Sequence, residues 1–226
     1  MKNETTHTQK KSLNDVRAPV MMLYVLAYCG GHMSGIPHWV LLLFSAVAFV
    51  GISFLFERKT LLKMLVPGWK SSVIGLVVAA ILYVIMWRVM QAVSDIVMGE
   101  GAVIDRSAIP GPIRMLLEIR HHASQIPIFV AGLGGALVLA PAEEAFWRGF
   151  VQTRIVGRAG SILGVGIVSI LYGGFWGLFV NPIAGLAATI AGLAFSILTL
   201  RSRSLIPAMI SHAVLWVFGI WLLPLY

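Results

Sequence analysis

Glu143 and Glu144 are adjacent acids that follow an uncharged run at 126–142, and Arg148 stands four residues after the second. A charged side chain at mid-bilayer costs roughly 2.5–3.5 kcal/mol on insertion scales, so an ionisable group kept there has a partner or a task. On a helix, Glu144 and Arg148 share one face at i and i+4, and pairing lowers the cost of burying either. Glu143 points about 100° away and is left for another role. His212 lies in a later apolar run. At the helical rise per residue, Glu143 and His212 both fall roughly 13–17 Å from the basic residues Arg154 and Arg203. A carboxylate and an imidazole at one depth can form an acid/base pair or part of a metal site. Two plainer readings stand beside this one: the acids pair with basic groups and brace the bundle, and His212 is hydrogen-bonded to a neighbouring helix.

The elements that must hold these residues are membrane helices. The chain is 58% hydrophobic and 12% charged, against about 25% charged for soluble domains. A helix needs about 20 mostly apolar residues to span. The runs at about 18–33, 36–56, 71–93, 126–156, 160–179, 182–200 and 204–225 predict an all-α, polytopic transmembrane bundle of about seven spans. It is a single helical membrane domain, 18–226, behind a polar basic tail, 1–17. The tail and the run Ala18–Cys29 also have the form of a secretory signal, but further spans follow, and a short first transmembrane or interfacial helix is the better reading. Between the third and fourth spans the stretch 94–125 is polar, with 113–121 as a short interfacial helix.

The net charge of +8 does not point to nucleic acid, because the basic residues cluster at span ends, as topology signals and head-group contacts do. Lys10, Lys11 and Arg17, then Arg58, Lys59, Lys63 and Lys70, then Arg148, Arg154 and Arg158, then Arg201 and Arg203 all fall on one side of a seven-span chain. That side is then the cytoplasm and the N-terminus is expected there; the membrane expected is a bacterial cytoplasmic one. The lone Cys29 excludes an internal disulfide and a multi-Cys metal site. Glycines at 132, 134, 135, 164, 166, 173, 174, 177, 185 and 192 signal close helix packing rather than chemistry. Trp39, Trp69 and Trp221 suit interfacial belts, whereas Trp147, Trp176 and Trp216 share spans with the polar residues and could wall a cavity. His32, His38, His121 and His122 read as solvated or interfacial.

The stretch Glu143-Glu144-Ala145-Phe146-Trp147-Arg148 resembles the EExxxR motif of the CAAX-protease and bacteriocin-processing family of intramembrane proteases. Ser204–Ala213 resembles that family's later segment, in which His212 opens an HxxxN motif. The likeness covers about 126–216. It implies peptide-bond hydrolysis inside the membrane, with Glu143 as general base on water, Glu144 and Arg148 supporting it, and His212 orienting the water or stabilising the oxyanion. The substrate implied is a membrane-embedded protein or peptide, for some divergent members the C-terminal anchor of an exported protein. The family's mechanism is argued both with a metal and with the glutamate alone. Two positions depart from the pattern: FxxxH becomes Tyr172 to Trp176, and HxxxN becomes His212 to Trp216. One His with one or two Glu is a poor zinc site, since zinc takes three protein ligands. No cofactor is expected. Tyr172 or Asn181 could supply a compensating polar group, and Tyr172, Trp176 and Trp216 are candidate cavity residues. The alternatives are a catalytically inactive relative acting as a membrane binding or immunity protein, and a proton-relay transporter, for which the expected inverted repeats are missing.

Overall fold

The computed structural model describes residues 34, 36, 38–66, 68–98, 132–179 and 182–218. Every secondary-structure element among them is helical, as bilayer burial of the backbone demands. Helix α1 is His38–Met64 and α2 is Trp69–Met98. A composite helix, α3, runs over 132–159. Then come α4, Ser161–Phe179, α5, Pro182–Ser202, and α6, Ile206–Val217. Among the described residues, four helices are long and apolar enough to cross a membrane: Val40–Met64, Trp69–Val89, Ser161–Leu178 and Ala184–Ser202. Three expected spans are not among these four. The first, at 18–33, lies outside the described residues, as do His32, His121, His122, Asn181, Trp221 and the segment 113–121. The fourth is the composite helix α3, and the seventh is described for one short apolar stretch.

Three helices differ from the sequence expectation; the second, α2, was expected to end at residue 93 and runs on to Met98, into the stretch read as polar. Helix α1 was expected to end at residue 56, before a basic loop. It continues to Met64 instead, interrupted only at Glu57 (φ −137°, ψ 24°). There the Glu57 carboxylate is occupied by Arg154 from α3 and by the Thr60 hydroxyl, 3.0 Å away. Helix α3 was expected to be one regular span. It alternates π-helical Gly135–Leu139, α-helical Ala140–Glu144, π-helical Ala145–Gln152 and α-helical Thr153–Ala159. Pro141 explains the first change: it has no N–H to give and its ring crowds the carbonyl four residues back, and a wider turn directly before it relieves both problems.

Packing follows the small residues. Phe49 of α1 stacks on Phe146 of α3, with ring centroids 4.4 Å apart, and Phe56 meets Phe150. The two helices therefore run side by side in one direction. Val168 and Tyr172 of α4 close this core from the other flank. Helices α4 and α5 touch through glycines: a Cβ on Gly173 would strike the Thr189 hydroxyl and the Gly185 carbonyl, and one on Gly185 would lie 2.7 Å from the Gly177 Cα. Gly75 of α2 lies against the Pro207 backbone, and the Ser211 hydroxyl donates to the Gly75 carbonyl at 2.6 Å.

The α5–α6 turn, with Arg203 at φ 54°, docks on the end of α1. Leu205 N–H donates to the Met64 carbonyl at 2.9 Å, and the Ser204 hydroxyl lies 3.1 Å from the Met64 and Val66 carbonyls. With the Glu57–Arg154 pair, this gathers Lys63, Arg154 and Arg203 at one end of the bundle. Leu55, Ile162 and Leu178 are exposed and present an apolar exterior, as a membrane protein requires.

Adding one methyl at Gly173 should lower stability by about 1–3 kcal/mol through overpacking. The same change at Gly166, which has nothing within 4 Å, should be neutral or stabilising by up to ~1 kcal/mol. Thermal unfolding of Gly173→Ala and Gly166→Ala in detergent separates them; equal melting temperatures would contradict the packing described.

Candidate active site

The wider turns of α3 bring Glu144, Arg148 and Gln152, each four apart, along its face toward α5. All three are buried, and each of the last two reaches an α5 carbonyl: Arg148 Nη2 to Gly192 at 3.4 Å and Gln152 Nε2 to Ser196 at 3.0 Å. Glu143, Glu144, Arg148 and His212 are 1%, 0%, 0% and 7% exposed. Such burial is tolerable only where charges find opposite charges and hydrogen bonds.

The two acids find different partners. Glu144 Oε1 accepts from Arg148 Nη1 at 3.1 Å and lies 2.8 Å from His212 Nδ1. A carboxylate already paired with arginine acts as an acceptor, so the proton in the second contact sits on Nδ1. Nε2 is then an acceptor in the neutral ring. The imidazole is held flat by Phe195, stacked at 5.3 Å. Glu143 turns instead toward α4, where Oε2 accepts from the Tyr172 hydroxyl at 2.9 Å. The Tyr172 ring receives the Arg148 guanidinium 4.5 Å above its centre and the edge of Trp147 at 5.5 Å. Gly192 leaves the room for this: a Cβ there would sit 3.0 Å from Tyr172 and 3.3 Å from Arg148.

The Glu144–Arg148 pair is the one expected from i,i+4 spacing. His212 was expected opposite Glu143 but bonds Glu144. The reason is geometric: the two acids diverge by about 100° around α3, α6 lies on the Glu144 side, and α4 takes the other. Tyr172, anticipated as a compensating polar group, has its hydroxyl on Glu143. Trp176 is half-buried one turn beyond Tyr172, against the α1–α3–α4 core and edge-on to Phe175 at 6.0 Å. Trp216 covers Gly135, where a Cβ would come within 2.7 Å of its ring, and packs on the Ala46, Leu139 and Ala142 cluster. Gln152, Ser196 and Thr199, all buried, were not anticipated. The signal for Gln152 was available: it extends the Glu144–Arg148 spacing by one more step through an apolar helix.

The donor set does not suit zinc. Among the described residues no three His, Cys, Asp or Glu side chains converge as ligands, where a zinc site takes three or four. Glu144 Oε1 is already shared between Arg148 and His212, and Nδ1 of His212 is turned to it.

The model of the type II CAAX prenyl endopeptidase Rce1-like family matches residues 125–218. This part of the chain is similar to the Rce1-like family. No curated protein and no solved structure matches the chain. The Rce1-like segment takes in α3 to α6 and with them Glu143, Glu144, Arg148, Tyr172 and His212.

Removing one member of a buried ion pair strands the other. Arg148→Met should destabilise the fold by about 3–5 kcal/mol, and Glu144→Gln with Arg148→Met should recover a large part of that loss. Unfolding in detergent measures both; a single variant no worse than the double would show that the pair does not hold the helices.

Proposed function

We propose that this chain is an intramembrane endopeptidase that hydrolyses a peptide bond of a membrane-embedded protein or peptide, with Glu143 as general base. The observation that carries the reading is the meeting, inside the Rce1-like segment, of two buried carboxylates held by unlike partners. Glu144 is balanced by Arg148 and hydrogen-bonded to His212, which suits it to positioning. Glu143 has a neutral donor, so its charge is not spent on a cation and is available for proton transfer.

In this mechanism Glu143 takes a proton from water as the water oxygen bonds to the carbonyl carbon and the carbonyl electrons move onto oxygen. The intermediate collapses, the C–N bond breaks, and Glu143 returns the proton to the leaving amine. His212, with Nδ1–H engaged by Glu144, offers Nε2 as acceptor to orient the attacking water. No step runs through a metal. The substrate we propose is the C-terminal anchor of an exported protein. Lys63, Arg154 and Arg203 gather at one end of the bundle, which supports a cytoplasmic placement of that end, in a bacterial cytoplasmic membrane with the N-terminus on the same side.

Purified protein in liposomes, offered co-reconstituted membrane-anchored peptides, tests this. Glu143→Gln should lower cleavage at least about a hundredfold with unchanged expression and melting temperature. His212→Ala should also impair it, and a chelator should leave the wild type active. Chelator sensitivity would refute the metal-free mechanism. A wild type that binds such peptides but cleaves none would refute the enzyme.

A further inference from the structure

We infer that Tyr172 is a positioning residue that divides the two adjacent carboxylates into a paired one and a free one. The inference rests on the endopeptidase reading and adds a role that neither the acid pair nor its family match assigns. Two adjacent acids within reach of one arginine tend to compete for it, and a carboxylate drawn into an ion pair is a poorer proton acceptor. Tyr172 stands between the outcomes with both of its ends. Its hydroxyl donates to Glu143 Oε2 at 2.9 Å. Its ring face carries the Arg148 guanidinium at 4.5 Å, a contact that binds the cation without a carboxylate. On the far side Arg148 reaches Glu144 Oε1 and the Gly192 carbonyl. The phenol is therefore a wall with a hook: the face keeps Arg148 with Glu144, and the hydroxyl keeps Glu143 on the α4 side.

The surroundings fix that geometry. Tyr172 is buried, with the Trp147 edge on one side and the Cα-only surface of Gly192 on the other. A buried ring so enclosed has few rotamers to choose from, which makes its single hydroxyl a defined donor. Because the donor is neutral, it orients Glu143 without cancelling its charge.

Two variants separate wall from hook. Tyr172→Phe keeps the ring and removes the hydroxyl; Tyr172→Leu removes both. The first readout needs no substrate: infrared difference spectra, with the Glu143 carboxyl band identified by its loss in Glu143→Gln. That band should shift in Tyr172→Phe and shift further, toward an arginine-paired carboxylate, in Tyr172→Leu. The second readout is cleavage of the anchored peptides. Tyr172→Phe should lose about tenfold or more in kcat with KM and melting temperature near those of the wild type, and Tyr172→Leu should lose more. An unshifted band, or a Tyr172→Phe protein as active as the wild type, overturns the inference and leaves the endopeptidase reading intact. A wild type inactive on every anchored peptide overturns that reading, and with it the role in the reaction, even where the band shifts.

Discussion

Charge burial in an apolar bundle is the constraint on which the rest of this structure depends. A carboxylate withdrawn from water must be matched on the spot, and here two occur in succession on one helix. One cation does not balance both, and neighbouring residues on a helix face different ways. The bundle therefore sets α5 and α6 against the Glu144 face and α4 against the Glu143 face, and gives each acid a donor of a different kind. Arg148 and His212 meet the first; a phenol meets the second. What distinguishes the two chemically is the charge of the donor, and that difference is set by which helix lies on which side.

The remaining architecture makes those approaches possible. Helix α4 can stand close to α5 only because Gly173, Gly177 and Gly185 present bare backbone. Helix α6 is held at the correct height by the Ser211–Gly75 hydrogen bond and by the docking of the turn before it on the end of α1. The aromatic rings of α1 fill the opposite flank of α3 and leave the polar side chains no apolar vacancy to swing into. Small residues, a hydroxyl clamp and stacked rings are ordinary packing devices, and each one removes a freedom that the buried acids would otherwise have.

Much of this was legible in the sequence. The apolar runs announced an all-helical membrane protein, and the Glu144–Arg148 spacing announced their ion pair, because both follow from periodicity along one chain. The partner of His212 did not follow. Depth along a helix can be counted from sequence, but the angle at which two helices face each other cannot, and that angle assigned His212 to Glu144. The Tyr172 hydroxyl was noticed as a polar group without a destination for the same reason. The extension of α1 beyond Glu57 was hidden because Glu57 and the basic residues after it resemble a loop until Arg154, far along the chain, supplies the counter-charge to Glu57. Gln152 was legible and was passed over among apolar neighbours.

The π-helical stretch Ala145–Gln152 has a consequence for how this protein can vary. Each π turn holds roughly one residue more than an α turn, so the stretch stores surplus chain in an otherwise continuous rod. A one-residue deletion there would let the rod rewind as plain α-helix while the segments on either side keep nearly their present facing, because the surplus residue was taken up within a wider turn. One residue removed from the α-helical stretch Ala140–Glu144 instead would turn everything beyond it by about 100°, taking Arg154 from Glu57 and Gln152 from Ser196. The spacing of this segment is thus a form of information separate from its composition. A relative one residue shorter in the π-helical stretch could keep the same neighbours around the same acids.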